Sequence, residues 1–283
     1  MPAFSQQIGE LFYINLGQYA VTTPGGGTAS KNHNFKPTDP ATTRQDKAVT
    51  YLEKVGAGWN VKAPSMVGDG FTLKGDGLGV LTADFGLIGS GSLDFASTAT
   101  WYPTATPTVT RRTGQHKLFN TQMSLVTNDG TTTTTYACRY RSFEAAFRKT
   151  MLDDASISPG CANFRTSGDP TSGALRSSHE FDKQSLDFSF EVDMAAGSPE
   201  AAAVQDQRPF DIQLNATGGI IETTIRHAMN IHIPVAKYQM SKPVISGGIM
   251  RFAISGKGLF DFTTGKLFSI DLVNDIATYA SAF

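Results

Sequence analysis

The sequence predicts a mainly β protein, an antiparallel β-sandwich or barrel with one or two short helices and long loops. Three observations carry this reading. The last third alternates apolar and polar residues over Leu186–Val192, Phe210–Leu214, Ile220–Ile225, Met229–Val235, Gly248–Ile254 and Gly265–Asn274. The breaks between these runs hold Gly, Pro, Asn or Ser. Farther upstream, Asn128-Asp-Gly130 separates two alternating runs, a strong hairpin signal. Alternation with period two puts one residue type on each face of a pleated ribbon, the pattern of a half-buried antiparallel sheet.

The elements follow in order. Leu11–Leu16 reads as a short apolar strand. Residues 22 to 48 carry almost no apolar side chains and read as a long loop or arm, because such a segment cannot bury enough surface to fold alone. Residues 49 to 95 return to strands and Gly turns, clearest in Gly68–Gly79 and Ala83–Gly89. A Thr/Pro-rich stretch at 96 to 116, with Trp101 and Tyr102 inside it, reads as an extended linker or insertion. The hairpin then joins Phe119–Thr127 to Thr131–Phe147, where Phe143, Ala146, Phe147 and Met151 also fit a helical stripe. Residues 153 to 178 are polar and loop-like, and Ser198-Pro-Glu opens a short helix, with Ser at the cap and Pro in the first turn. A loose echo links Phe71–Leu78 to Phe252–Leu259, which two similar Gly turns explain as well as duplication does. Residues 1 to 283 are taken as a single β domain.

Composition narrows the function classes. Charged residues make up 17% of the chain, against about 25% in ordinary soluble domains. A surface poor in charge and rich in Thr, Ser and Gly suits a protein that covers itself with its own copies, and equally suits any β-rich chain. The net charge of −1 gives no overall basic footprint for nucleic acid. No run of about 18 apolar residues is present to span a membrane as a helix. The first ten residues lack the pattern of a signal peptide, so synthesis in a cytosol is expected and Cys138 and Cys161 are read as free thiols.

No constellation for chemistry emerges. Gly75, Gly77 and Gly79 lack the spacing and the following helix of a dinucleotide loop. His227 and His232 are five apart, an odd spacing that puts them on opposite faces of a strand. His33, His116 and His179 are assigned to loops without an identifiable partner. Asp153, Asp154, Asp182, Asp187, Glu191 and Asp193 read as solvated acids rather than as a calcium or glycosidase set. Asn215-Ala-Thr217 is read as a turn, and Arg139, Arg141, Arg148 and Lys149 as a polar surface or an interface with a neighbour's acids. We therefore expect no catalytic, metal or cofactor-binding residues and no enzymatic activity.

The order of elements from about residue 117 onward has a recognisable form. Arg141-Ser-Phe-Glu144 is followed by Leu186-Asp-Phe-Ser-Phe190, the helix after Ser198-Pro199, and the strand Phe210–Leu214. His227-Ala-Met-Asn-Ile-His-Ile-Pro234 leads to Tyr238, then come Gly247-Gly-Ile-Met-Arg-Phe-Ala-Ile254, Leu267–Asn274 and Tyr279. This resembles the major tail tube proteins of long-tailed, siphophage-type bacteriophages. The resemblance implies a virion protein whose subunits form homohexameric rings. These rings stack into a hollow tube through which DNA passes into the host. Implied partners are further copies, the tape measure protein, and tail-completion or baseplate proteins, with only transient, non-specific contact to DNA. Another virion β-sandwich, such as a capsid decoration or tail-completion protein, and a glycan-binding module using Trp101, Tyr102 and Tyr140 are the competing readings.

Overall fold

The computed structural model describes residues 8–39, 49–55, 59–76, 81–89, 94–96, 123–137, 140–151, 181–193, 208–246 and 249–279. Cys138, Cys161, His116, His179, Asp153, Asp154, most of the 96–116 stretch and the helix expected after Ser198 lie outside them.

The first element corrects the sequence reading. Ile8–Leu16 is a helix, α1, not a strand. Ile8, Phe12 and Leu16 recur every four residues and are fully buried, which is helical spacing hidden inside a run that also alternates. Gly17 ends the helix with a φ of 83°, a left-handed conformation that glycine adopts without a side-chain clash. Thr38 then closes the end, its backbone N–H and its hydroxyl both donating to the Leu16 carbonyl at 2.7 and 3.0 Å.

The expected arm at 22 to 48 is also corrected in part. β1 (Gly17–Thr22) and β2 (Lys31–Pro37) form an antiparallel hairpin with a loop between them, and residues 40–48 lie outside the described residues. β2 carries no apolar alternation, because Phe35 is its sole large apolar residue. Its other inward side chain in mid-strand, His33, is buried through hydrogen bonds rather than hydrophobicity.

The strands that follow are β3 (Val49–Val55), β4 (Trp59–Asp76), β5 (Thr82–Ile88), β6 (Asp94–Ala96), β7 (Met123–Asn128), β8 (Thr133–Ala137) and β9 (Tyr140–Met151). The β7–β8 hairpin is the one that Asp-Gly announced. β9 resolves the ambiguous stripe: Phe143, Ala145 and Phe147 are buried while Ser142, Glu144 and Arg148 are exposed, a strand period. β10 (Phe181–Val192), β11 (Pro209–Glu222), β12 (Ile225–Ser246), β13 (Ile249–Gly258) and β14 (Ser269–Asn274) complete the set. All fourteen join one antiparallel network, ordered β1-β2-β14-β12-β13-β10-β9-β4-β3 along its main path.

Two runs read as separate strands are one. β11 passes straight through Gly218 and Gly219, and the register with β12 shifts between Thr217 and Ile220. The glycines mark a bulge rather than a break. The turn follows at Thr223-Thr224, with Thr223 at φ 45°. That is an unusual residue for a left-handed position, so the two-residue hairpin carried no Asn-Gly signal. Asn215, expected in a turn, lies in the middle of β11, where its Oδ1 accepts from the Asn230 amide of β12.

The sheet curls onto itself. Phe268, just ahead of β14, packs against Phe147 of β9 at a ring distance of 5.1 Å and Phe71 of β4 at 6.1 Å. β14 and β9 stand four steps apart in the strand order, roughly 19 Å in a flat sheet at about 4.8 Å per step. Only a strongly bent sheet brings these rings together. α1 fills the space so enclosed, with Phe12 against Phe35 of β2, Phe71 of β4 and Phe85 of β5 at 5.4 to 5.9 Å.

The sequence echo has a structural counterpart. Phe71 and Gly75 face Phe147 and Phe143 of β9, while Phe252 and Gly256 face Val192 and Phe188 of β10. A local two-fold between β9 and β10 relates the two sets, since Ala146 pairs with Asp187 as Glu191 pairs with Ser142.

Candidate functional site

What the described surface presents is strand edges and isolated apolar side chains. Among the described residues, β1, β3, β5, β6 and β8 each pair with one strand only. A row of backbone N–H and C=O groups on such an edge is a template for another strand. Nothing in β1, Gly-Gln-Tyr-Ala-Val-Thr, guards its edge with charge or proline. Among the described residues, the large apolar side chains most open to solvent are Phe262, 90% exposed, and Ile245, 79% exposed, followed by Phe95 and Ile220.

Phe262 stands on a tightly built turn between β13 and β14. Asp261 and Lys266 exchange backbone hydrogen bonds at 2.9 and 3.3 Å, and Gly265 takes the left-handed position at φ 64°. The Asp261 carboxylate accepts from the backbone N–H groups of Thr263 and Thr264 and from the Thr264 hydroxyl. These bonds, led by the Thr264 hydroxyl, hold its pKa below the usual carboxylate range. Phe260 meets Phe262 edge to face at 5.2 Å. The turn is thus ordered by its own bonds and holds an aromatic ring out into water.

A polar chain anchors the base of that turn. His232 Nε2 donates to Asp211 Oδ2 at 2.6 Å, and its Nδ1 accepts from Lys266 Nζ at 3.3 Å. Lys266 also reaches Ser269 Oγ at 3.1 Å. The residue types invite comparison with a hydrolase triad, and the geometry refuses it. Ser269 is bonded by the lysine rather than by the histidine, and at 1% exposure it is closed to substrate.

The remaining candidates separate cleanly. The ladders of β12 with β11 and β14 run without a shift from Ala228 to His232, and the register with β11 shifts at His227, between Ala228 and Arg226. His33 is not in a loop. It is fully buried in β2, with Tyr19 Oη and Asn274 Oδ1 each 2.9 Å from its ring nitrogens. Asp187 and Glu191 of β10, and Asp193 just after it, are paired across to β13: Arg251 takes Asp193 at 3.0 Å and Glu191 at 3.6 Å, and Lys257 lies 4.0 Å from Asp187. Arg148 and Lys149 are neighbours with opposite fates, Arg148 exposed and Lys149 buried. Among the described residues no group of three His, Cys, Asp or Glu side chains is placed to hold a metal ion, and no helix is long and apolar enough to cross a membrane.

One structural tie had no sequence signal. Glu222, at the tip of β11, is gripped by the loop between β1 and β2. Its carboxylate accepts from the backbone N–H groups of Thr28, Ala29 and Ser30 and from both hydroxyls there. Three successive amides converging on one carboxylate form an anion nest.

Compared with known proteins, the chain matches no family profile and no curated relative.

Proposed function

We propose that this chain is a structural subunit that assembles with copies of itself into stacked rings, forming the hollow tail tube of a long-tailed phage. The observation that supports the reading best is the open edges of an otherwise continuous antiparallel network. In a monomer such edges are a liability, and closing a ring of subunits pairs them all. Six copies per ring, a β-sandwich subunit and a place in the virion follow from the resemblance of residues 117 to 283 to tail tube proteins. DNA has to slide through such a bore, and a chain of net charge −1 brings no strong basic lining that would hold it. The tape measure protein would occupy the bore before DNA, and tail-completion and baseplate proteins would close the ends.

The test is negative-stain electron microscopy of the purified protein at high concentration, paired with its mass in solution. Hollow tubes or rings of uniform width are the expected result. Closed oligomers that never stack point instead to a capsid decoration or tail-completion protein. A monomer at every concentration that is retained on polysaccharide overturns the tube in favour of a glycan-binding module.

A further inference from the structure

We propose that residues 275–279 form a strap over β1, β2 and α1 that His33 holds shut at neutral pH and releases in acid. The reading does not depend on the assembly proposed above. The strap is the chain that leaves β14 after Asn274 and returns to the body at Tyr279. It is held by the Tyr279 ring, packed against Tyr19, His33 and Phe35, and by one buried polar network. His33 Nε2 donates to Asn274 Oδ1 at 2.9 Å. That same oxygen accepts the Ile276 N–H at 2.9 Å, and the Asn274 amide donates to Tyr279 Oη at 2.7 Å. Tyr19 Oη donates to His33 Nδ1 at 2.9 Å and accepts the Tyr279 N–H at 3.1 Å.

The directions of these bonds admit one protonation state. Asn274 Oδ1 can only accept, so Nε2 carries the proton. Nδ1 is then the acceptor for the Tyr19 hydroxyl, and the imidazole is neutral. A second proton on Nδ1 turns that acceptor into a donor. Tyr19 would have to turn its own hydrogen toward Thr278 Oγ1, 3.4 Å away, and an imidazolium would sit fully buried among Tyr19, Phe35 and Tyr279 rings. Opening the strap exposes the ring and removes that cost.

The charged groups around His33 do not offset it. Desolvation lowers its pKa, the hydrogen bonds to Asn274 and to the Ile276 backbone act the other way without reversing the shift, and Lys31, on its own strand, adds repulsion. From α1, Glu10 lies near Tyr279 and its pKa is raised by burial, so it loses its charge early as the pH falls. Asp271 of β14 bonds Asn34, whose side chain leaves the opposite face of β2 from His33. Asp275 belongs to the strap itself.

The sign follows. The closed strap binds the proton less well than the open one, so closure is at full strength above about pH 6.5 and weakens as the pH falls below it. The measurement is amide hydrogen exchange of Ile276 and Tyr279 at pH 7.5 and pH 5.0, corrected for intrinsic chemical rates. Protection should drop by up to about 30-fold, the limit set by a free histidine titrating near 6.5. His33→Gln, whose amide can still reach Asn274, should abolish the drop, and Glu10→Gln should keep it. Equal protection at both pH values overturns the proposal, as does a drop that survives His33→Gln or vanishes in Glu10→Gln. If His33→Gln does not fold, an NMR titration of the His33 ring in the unaltered chain decides. Ring protonation that fails to track the loss of protection overturns the proposal.

Discussion

The Glu222 carboxylate takes the Ser30 backbone N–H at 2.7 Å, joining residues 192 positions apart in sequence. It ties the tip of the long β11–β12 hairpin to the loop of the β1–β2 hairpin. The Ser30 hydroxyl and the surrounding amides hold the Glu222 pKa far below the ordinary value for a glutamate. A depressed carboxylate pKa contributes stability above the unfolded value, near 4.3, that is lost as the pH falls through the folded one. Glu222→Gln is therefore expected to loosen both hairpin tips at neutral pH, read as faster amide exchange at Thr28–Ser30 and Ile220–Ile225. The variant should match the original chain once the pH is low enough to protonate Glu222. A loop equally protected in the two proteins at pH 7 would show that the contact orders nothing.

Asn15 links α1 to β4. Its Oδ1 accepts the buried Gly70 N–H at 3.0 Å, while its amide donates to Leu11 O at 2.9 Å. Asn15→Ala leaves that N–H without a partner, at a cost of about 1–3 kcal/mol. Denaturant unfolding should show this as a lower midpoint at unchanged slope. Gly70 itself sits at φ 140°, and a Cβ there would lie 2.2 Å from the Phe147 carbonyl oxygen. Gly70→Ala should be harsher than Asn15→Ala.

Phe268 is the ring that bridges the curled sheet. Phe268→Ala removes its contacts with Phe71 and Phe147 together, and a loss of about 3–5 kcal/mol is expected. Phe268→Leu should recover most of it. A cost under about 1 kcal/mol for the alanine variant would mean that the two sides of the sheet do not depend on this contact.

Phe262 tests the surface rather than the core. A ring 90% exposed contributes little to folding, so Phe262→Ser should leave stability within about 0.5 kcal/mol. If the pinned turn serves contact between copies, the same change should reduce self-association measured by sedimentation. Unaltered tubes or oligomers from the serine variant would remove this turn from the interface.

Gly9 reports on the strap from the helix side. A Cβ at this position would lie 2.2 Å from Tyr279 Cε2. Gly9→Ala should displace the tyrosine ring and raise exchange at the Tyr279 amide at every pH, with an overpacking cost of about 1–3 kcal/mol. Protection equal to that of the original chain would show that the ring is not pressed against α1.

By itself, the sequence determined the class of the fold. Alternation over Leu186–Val192 and Phe210–Leu214 identified strands with one buried face, because side-chain direction in a strand follows from position alone. Asn128-Asp-Gly130 identified its hairpin through local turn chemistry, with the Asp129 side chain accepting from Thr131 and Thr132. Only the tertiary structure decided the rest. Leu11–Leu16 satisfies both a strand and a helix period, and the choice fell to α1 because Ile8, Phe12 and Leu16 had a cavity in the curled sheet to fill. β2 is almost wholly polar, and its place depends on Tyr19 and Asn274, which bond His33 from 14 and 241 residues away. The nest around Glu222 and the lysine beneath the Phe262 turn are likewise meetings of distant segments. Local preference reaches about one turn or one hairpin along a chain. Contacts made across hundreds of residues leave no period in the sequence to read.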